Sequence, residues 1–386
     1  MTNHFILSVI AIRLAVNSVP MSLPAAEPDG APVAIGSRVE MFVDDWLIDS
    51  TRSPGNVSLQ LQPPVKREIV LVTDKPWEGP DSAYFTVFQD GPRVRLYYRG
   101  IVPAGDTSTG QVTCYAESTD GIHFTRPNLG LVEFQGSKEN NIIYRGLEAH
   151  NFAPFRDANP SAGPEARYKA LAGLLSQLYA FVSPDGIHWK KLPAEPVMTK
   201  GAFDSLNLSF WDERTQDYRC YSRYFDDGVR AIQSCTSTNF IYWTDPVPNR
   251  YPKRAPKEHF YISEHYEWPD NRLRRLTVRR HGFASVHAGA AGGDFTTRLL
   301  TFTGKSLILN YATSAAGALQ VEVQDEQGKP IEGRTLADMP ALFGDELDAV
   351  VTWKSGGDLS DLVGKPVRFR FVLKDADLFA LRTGTL

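Results

Sequence analysis

Ser118-Thr-Asp120-Gly121-Ile-His123-Phe124 decides the fold, because it returns as Ser183-Pro-Asp185-Gly186-Ile-His188-Trp189 and, worn, as Ser237-Thr-Asn239-Phe240-Ile-Tyr242-Trp243. A fourth trace stands at His281-Gly282-Phe283. Asp-Gly and Asn supply the backbone conformations that tight hairpins need, and the aromatic residue restarts a strand with a ring to bury. Each copy closes a larger unit. Ahead of the first, residues 85–90 turn into 94–98, and 112–115 lead to the phrase; 151–157, 167–171 and 178–181 precede the second, and 206–212, 217–221 and 230–232 the third. Strand, turn, strand, loop, strand, turn, strand is one blade of a β-propeller.

Three blades are thus expected at 82–127, 150–192 and 205–248. Residues 39–48 read as a strand that pairs with the last blade and closes the ring. That blade takes its other strands from 260–266 and 274–278 and ends at the fourth trace. The texture changes at Gly289-Ala-Ala-Gly292-Gly293. Beyond it, apolar and polar residues alternate through 299–302, 306–311, 319–323, 350–353 and 367–371, the mark of antiparallel strands solvated on one face. The expected fold is all-β, with no stretch of helical period: a β-propeller over 38–288 and a C-terminal β-sandwich over 294–386.

The totals agree. At 386 residues the chain exceeds one ordinary core, and 42% hydrophobic with 22% charged residues is the make-up of a soluble globular protein. A net charge of −4 leaves no footprint for nucleic acid, and the basic cluster Arg272, Arg274, Arg275, Arg279 and Arg280 alternates along an expected strand as a solvated face. Apolar residues 5–12 and 14–16, followed by Pro24-Ala25-Ala26, predict a secretory leader over 1–26 and a secreted or periplasmic protein. No later segment has the ~18 unbroken apolar residues of a membrane span. Zinc-ligand spacing is absent, so no metal or other cofactor is expected. Cys220 and Cys235 flank a turn at Asp227-Gly228, where they form either a cross-hairpin disulfide or two buried thiols on neighbouring strands.

A propeller of such hairpins followed by a sandwich resembles glycoside hydrolase families 32, 43 and 68, and most closely proteins with a family-32-like N-terminal domain. The residues that carry the resemblance are Trp77-Glu-Gly-Pro80-Asp81-Ser82-Ala-Tyr84, Gly121-Ile-His123-Phe124, His150-Asn151-Phe152, Lys200-Gly-Ala-Phe203-Asp204-Ser205 and Phe302-Thr-Gly304-Lys305. The resemblance implies a carbohydrate substrate and carboxylates placed where the innermost strand of each blade begins. Counting back from the hairpins puts Asp81 at the family's nucleophile position and Asp204, where the family has Glu, near its acid position. The same count in the second blade gives His150-Asn151. Arg156-Asp157 looks like the family's Arg-Asp-Pro motif but falls at the outer end of its strand and reads as a turn. Those enzymes have five blades, whereas here Pro252-Lys-Arg254-Ala255-Pro256 passes almost directly into what looks like the last. The ring is then four-bladed, or has lost a blade.

Glycosidic hydrolysis needs one carboxyl to protonate the leaving oxygen and another to attack, or to activate water. Asp81 and Asp204 begin inner strands of different blades and are the expected catalytic pair. Trp77, His150, Asn151, Glu264, His265 and Asp45 are the expected substrate-binding set. Asp120, Asp185, His123 and His188 recur with the blades and read as hairpin residues, since special chemistry needs one copy. These residues point to an exported, monomeric glycoside hydrolase acting on a poly- or oligosaccharide. One alternative is a non-catalytic carbohydrate-binding propeller, favoured by the short ring and the absent Glu. Another is a sialidase-like enzyme, because the phrase resembles an Asp-box, although its Gly falls one residue early.

Overall fold

The structure, a computed structural model, describes residues 31–53, 55–79, 82–101, 110–250, 266–267 and 271–384. The chain divides into two compact units, Val65–Thr277, and Met1–Pro64 together with Val278–Leu386. Both are all-β; the helical pieces among the described residues are short 3-10 turns. No helix among them is long and apolar enough to cross a membrane. The leader expected over 1–26 lies outside the described residues.

The Val65–Thr277 unit is a series of antiparallel sheets. The first orders Ala83–Asp90, Arg93–Ile101, Gln111–Ser118 and Ile142–Arg145. Ala153–Arg156, Tyr168–Leu174, Gln177–Ser183 and Lys190–Leu192 form the second. The third runs Leu208–Asp212, Asp217–Asp226, Val229–Ser237 and Val247–Pro248. A fourth places Arg272–Thr277 between Tyr266–Glu267 and Val65–Val72.

The recurring phrase closes the third strand of each of the first three sheets, and its side chains explain why. Ser118 Oγ accepts from the N–H groups of Asp120 and Gly121, and Asp120 Oδ1 accepts from those of Ile122 and His123, both at 2.8 Å. Ser183 with Asp185, and Ser237 with Asn239, repeat this pattern. Gly121 and Gly186 take the left-handed backbone at φ 72° and 79°. In the third copy Phe240 does so at φ 68°, a conformation unfavourable for a side chain with a Cβ. Its ring is fully buried against Tyr218, Trp243 and Phe155, which offsets that cost.

Apolar clusters link the sheets in series. Leu71 and Leu273 of the fourth pack with Phe85, Leu96 and Cys114 of the first. Tyr97 and Tyr115 of the first meet Ile187 and Trp189 of the second hairpin. Leu171 and Leu178 of the second join Tyr218, Cys220 and Cys235 of the third. Cys220 and Cys235 stand opposite each other in register and are buried free thiols, the second of the two sequence alternatives.

Three expectations are corrected. The strand expected at 39–48 does not join the last sheet: Glu40–Met41 pairs with Leu381 and Ala380 in the other unit, and Val65–Val72 takes the pairing position beside Arg272–Thr277. The phrase at 118–124 does not run straight into a strand, because the first sheet draws its fourth strand from Ile142–Arg145 after an excursion. His281-Gly282-Phe283 does not end a sheet of this unit but leads into Ala284–Ala288 of the other.

That other unit centres on two long strands, Ser306–Gln324 and Arg368–Gly384, paired along most of their length. Asp345–Val350 extends the sheet on one side, Ala284–Ala288 and Ser58–Leu61 on the other. Glu40–Met41 and Gly293–Thr296 pair with further stretches of Arg368–Gly384. The register breaks between Asn310 and Tyr311 and between Thr313 and Ala318, where the long strand bends. Phe295, Phe302, Phe369 and Phe371 fill its core together with Val33, Ile35 and Phe42 from the N-terminal stretch.

Candidate functional site

Asp204 lies on the connection from the second sheet to the third, and buried amides fix the backbone on either side of it. Asn151 Nδ2 donates to Phe203 O and, at 2.7 Å, to Ser205 O. Asn207 Nδ2 donates to the same two carbonyls at 3.0 and 2.8 Å. Asn151 in turn accepts from the Gly173 N–H at 2.9 Å. Both asparagines are fully buried, whereas the Asp204 side chain is half exposed. A rigid peptide thus presents an open carboxylate.

Three sheets converge on that carboxylate. His150 is the penultimate residue of the 3-10 turn Leu147–Asn151, just ahead of the second sheet, and its Nε2 stands 2.6 Å from Asp204 Oδ1. Tyr84, from the first sheet, donates its hydroxyl to the same oxygen at 3.2 Å. Arg223, from the third, brings Nη2 to 3.7 Å from Oδ2. Arg99 reaches His150 Nδ1 at 3.3 Å and lays its guanidinium over the Tyr84 ring at 4.7 Å. Gln111 Oε1 stands 3.0 Å from that Nδ1, and the amide turned about its terminal bond presents its NH2 there instead, as an accepting Nδ1 requires. Tyr84 adopts φ 53°, rare for an aromatic residue, at a register shift that aims its ring across the site.

The protonation states follow. A guanidinium only donates, so Nδ1 accepts from Arg99 and Nε2 carries the proton toward Asp204. Burial, then the Arg99 charge, holds the His150 pKa below its ordinary value against the pull of Asp204. Burial by itself would raise the Asp204 pKa, but the His150 hydrogen bond and charge, Arg223 and the Tyr84 hydroxyl overcome it and hold the carboxyl below the usual range. At neutral pH the pair is a neutral imidazole donating to a carboxylate.

The other expected site residues are placed as follows. Asp81, Glu264 and His265 lie outside the described residues. Asn151 sits beside His150, and its amide is committed to the backbone around Asp204. Trp77 packs edge-on against Phe134 and donates its indole N–H to Asn141 at 2.7 Å. Asp45 belongs to the other unit. Asp157 is sealed by an ion pair with Lys169 and by the Tyr218 hydroxyl at 2.8 Å, a structural role in keeping with its position near the turn. Sequence reasoning missed Tyr84, Arg99, Gln111 and Arg223. For Arg99 a signal existed: a charge that ends the apolar run Leu96-Tyr-Tyr98.

A second carboxylate of the same unit is held by similar partners but shut away. Glu78 is fully buried; Tyr98 donates to Oε1 at 2.5 Å, Arg126 Nε to the same oxygen at 2.7 Å, and the Lys75 N–H to Oε2 at 2.9 Å. Among the described residues no cluster of His, Cys, Asp and Glu could hold a metal ion.

No family model and no curated protein matches the chain. Among solved structures it is similar to an N-acetylgalactosamine deacetylase from F. plautii in complex with blood group B trisaccharide, at 11% identity over 92% of this chain and 95% of that one, with a TM-score of 0.33. It is similar as well to a fructofuranosidase from Schwanniomyces occidentalis complexed with fructose (10% identity, 81% and 96% covered, TM-score 0.34). An exo-beta-1,3-galactanase from Phanerochaete chrysosporium is a third (8%, 82% and 100%, TM-score 0.26). Propeller-type glycoside hydrolases are thus among the structures it is similar to. At such low identities and TM-scores they carry no argument about the site, whose own geometry has to do so.

Proposed function

We propose that the Val65–Thr277 unit is a propeller whose blades are the four sheets, that the other unit is a β-sandwich, and that the protein is an exported glycoside hydrolase acting on a poly- or oligosaccharide. The observation that supports this most is the convergence of Tyr84, His150 and Arg223 on the half-exposed Asp204 carboxylate from three successive parts of the unit. A lowered pKa suits Asp204 to the anionic half of the chemistry, attack on the sugar or activation of water, and not to proton donation. His150 positions that carboxylate, and Asn151 and Asn207 hold its backbone still. This reverses the roles that the resemblance implied for the pair and leaves Asp81, three positions before Tyr84 in sequence, as the proton donor.

The test is product release from a panel of neutral oligo- and polysaccharides. Wild type is expected to release sugar and Asp204→Asn to lose that activity with an unchanged melting curve. Equal turnover by both removes Asp204 from the chemistry. One observation favours a second reading, a non-catalytic saccharide-binding propeller: His150 and Tyr84 already engage Asp204 Oδ1, which suits an acceptor for sugar hydroxyls. Calorimetry that detects binding to a saccharide without any product on long incubation selects it. For export, the N-terminal residue of protein recovered from the medium or periplasm, measured by mass spectrometry, is expected just beyond Ala26.

A further inference from the structure

The unit formed by Met1–Pro64 and Val278–Leu386 carries a recess that the reading above does not use. It has a volume of about 450 Å³, within the ~300–1,000 Å³ range of small-ligand sites. Trp46 forms one wall and is 53% exposed, unusual for the largest apolar side chain. The backbone that carries it is fixed. Asp44 Oδ1 accepts from the Trp46 main-chain N–H at 3.0 Å, the Ile48 main-chain N–H donates to Asp45 O at 3.0 Å, and that of Arg298 donates to Leu47 O at 2.8 Å.

The charges around this ring are of two kinds. Asp49 and Arg368 satisfy each other at 2.7 Å, and Thr51 donates its hydroxyl to Asp49 at 2.6 Å. Arg298 stacks its guanidinium on Trp46 at 4.3 Å, and among the described residues no carboxylate or carbonyl takes up its N–H groups. The Asp45 carboxylate, in the same wall, likewise has no partner there. An exposed aromatic side chain on a fixed backbone, one spare fork of donors and one spare pair of acceptor oxygens therefore share one opening.

We infer that this recess binds a neutral saccharide residue, as a second carbohydrate site separate from Asp204. A sugar ring offers an apolar C–H face to an indole and hydroxyls that both donate and accept. Asp45 accepts hydrogen bonds from sugar hydroxyls and Arg298 donates them to ring or hydroxyl oxygens. An acidic sugar fits less well, because a carboxylate drawn to Arg298 would meet the unpaired Asp45 carboxylate in the same wall.

Affinity electrophoresis of the full chain tests this, in gels holding arabinan, galactan, xylan or mannan, with polygalacturonate as the charged arm and a ligand-free gel as reference. Wild type and Asp204→Asn should be retarded alike in at least one neutral gel. Trp46→Ala and Asp45→Asn should each raise the dissociation constant about tenfold or more; the second variant leaves packing untouched and guards against a folding defect in the first. Retardation in no neutral gel, retardation by polygalacturonate only, or retention undiminished in both variants overturns the inference. Loss of turnover in Asp204→Asn with retention intact separates this site from the proposed hydrolytic one.

Discussion

Glu78 and Asp204 are the same kind of group held by the same kinds of partner, a tyrosine hydroxyl and an arginine, yet one is fully buried and the other half exposed. Around Glu78 the hydrogen bonds are short and include a backbone N–H, and nothing is left for a ligand. Around Asp204 the carboxylate faces outward, and a part-buried imidazole takes the place of the backbone donor. The difference teaches how to separate a carboxylate that holds a fold together from one that can do chemistry. Exposure decides, not the list of partners.

The comparison can be broken most sharply by paired neutralisation. Asp204→Asn is expected to cut turnover about 1,000-fold, as loss of a catalytic carboxylate does, with almost no change in stability. Glu78→Gln leaves Arg126 without its buried counterion and is expected to cost about 3 kcal/mol in urea unfolding, while the protein that remains folded turns over normally. Removing one hydroxyl from each cluster sharpens the contrast at lower amplitude. Tyr98→Phe should cost about 1–2 kcal/mol of stability, whereas Tyr84→Phe should lower turnover about fivefold, roughly 1 kcal/mol, and leave unfolding alone.

The smallest effect is in pH dependence. The His150 pKa lies below 6.5 in the folded protein and close to 6.5 when unfolded. As pH falls through that window the unfolded chain binds the proton first, so stability drops from about pH 6.5 downward until the folded value is passed. The melting temperature of wild type should therefore fall more between pH 7 and 5 than that of His150→Gln. Parallel curves for the two proteins would show that the imidazole does not titrate as its surroundings require.

Much of the architecture was legible because it is written locally. Ser118 and Asp120 bond the backbone of their own turn, so the phrase works in any sheet, and its repeats marked the first three sheets directly. Pairing partners were not legible in the same way. Glu40–Met41 and Val65–Val72 are both plausible edge strands, and which one meets Arg272–Thr277 is settled by packing across some 200 residues of chain. The site was half legible for a related reason. His150 and Asp204 stand at corresponding places in successive units, so counting from the hairpins found them. Tyr84, Arg99 and Arg223 act from strand positions whose polar residues have nothing in sequence to distinguish them from a solvated face.

One feature of the chain's path bears on how the protein is made. Ser58–Leu61 pairs with Ala284–Ala288, and the intervening segment from Val65 to Thr277 forms a compact body whose first and last residues are themselves partners across a ladder. During synthesis that inner body has all its strands before its host does. Residues 31–64 leave the ribosome before that body and find their sheet after it, so the host's apolar Val33, Ile35 and Phe42 must wait, uncovered, for a C-terminal strand that has yet to be translated.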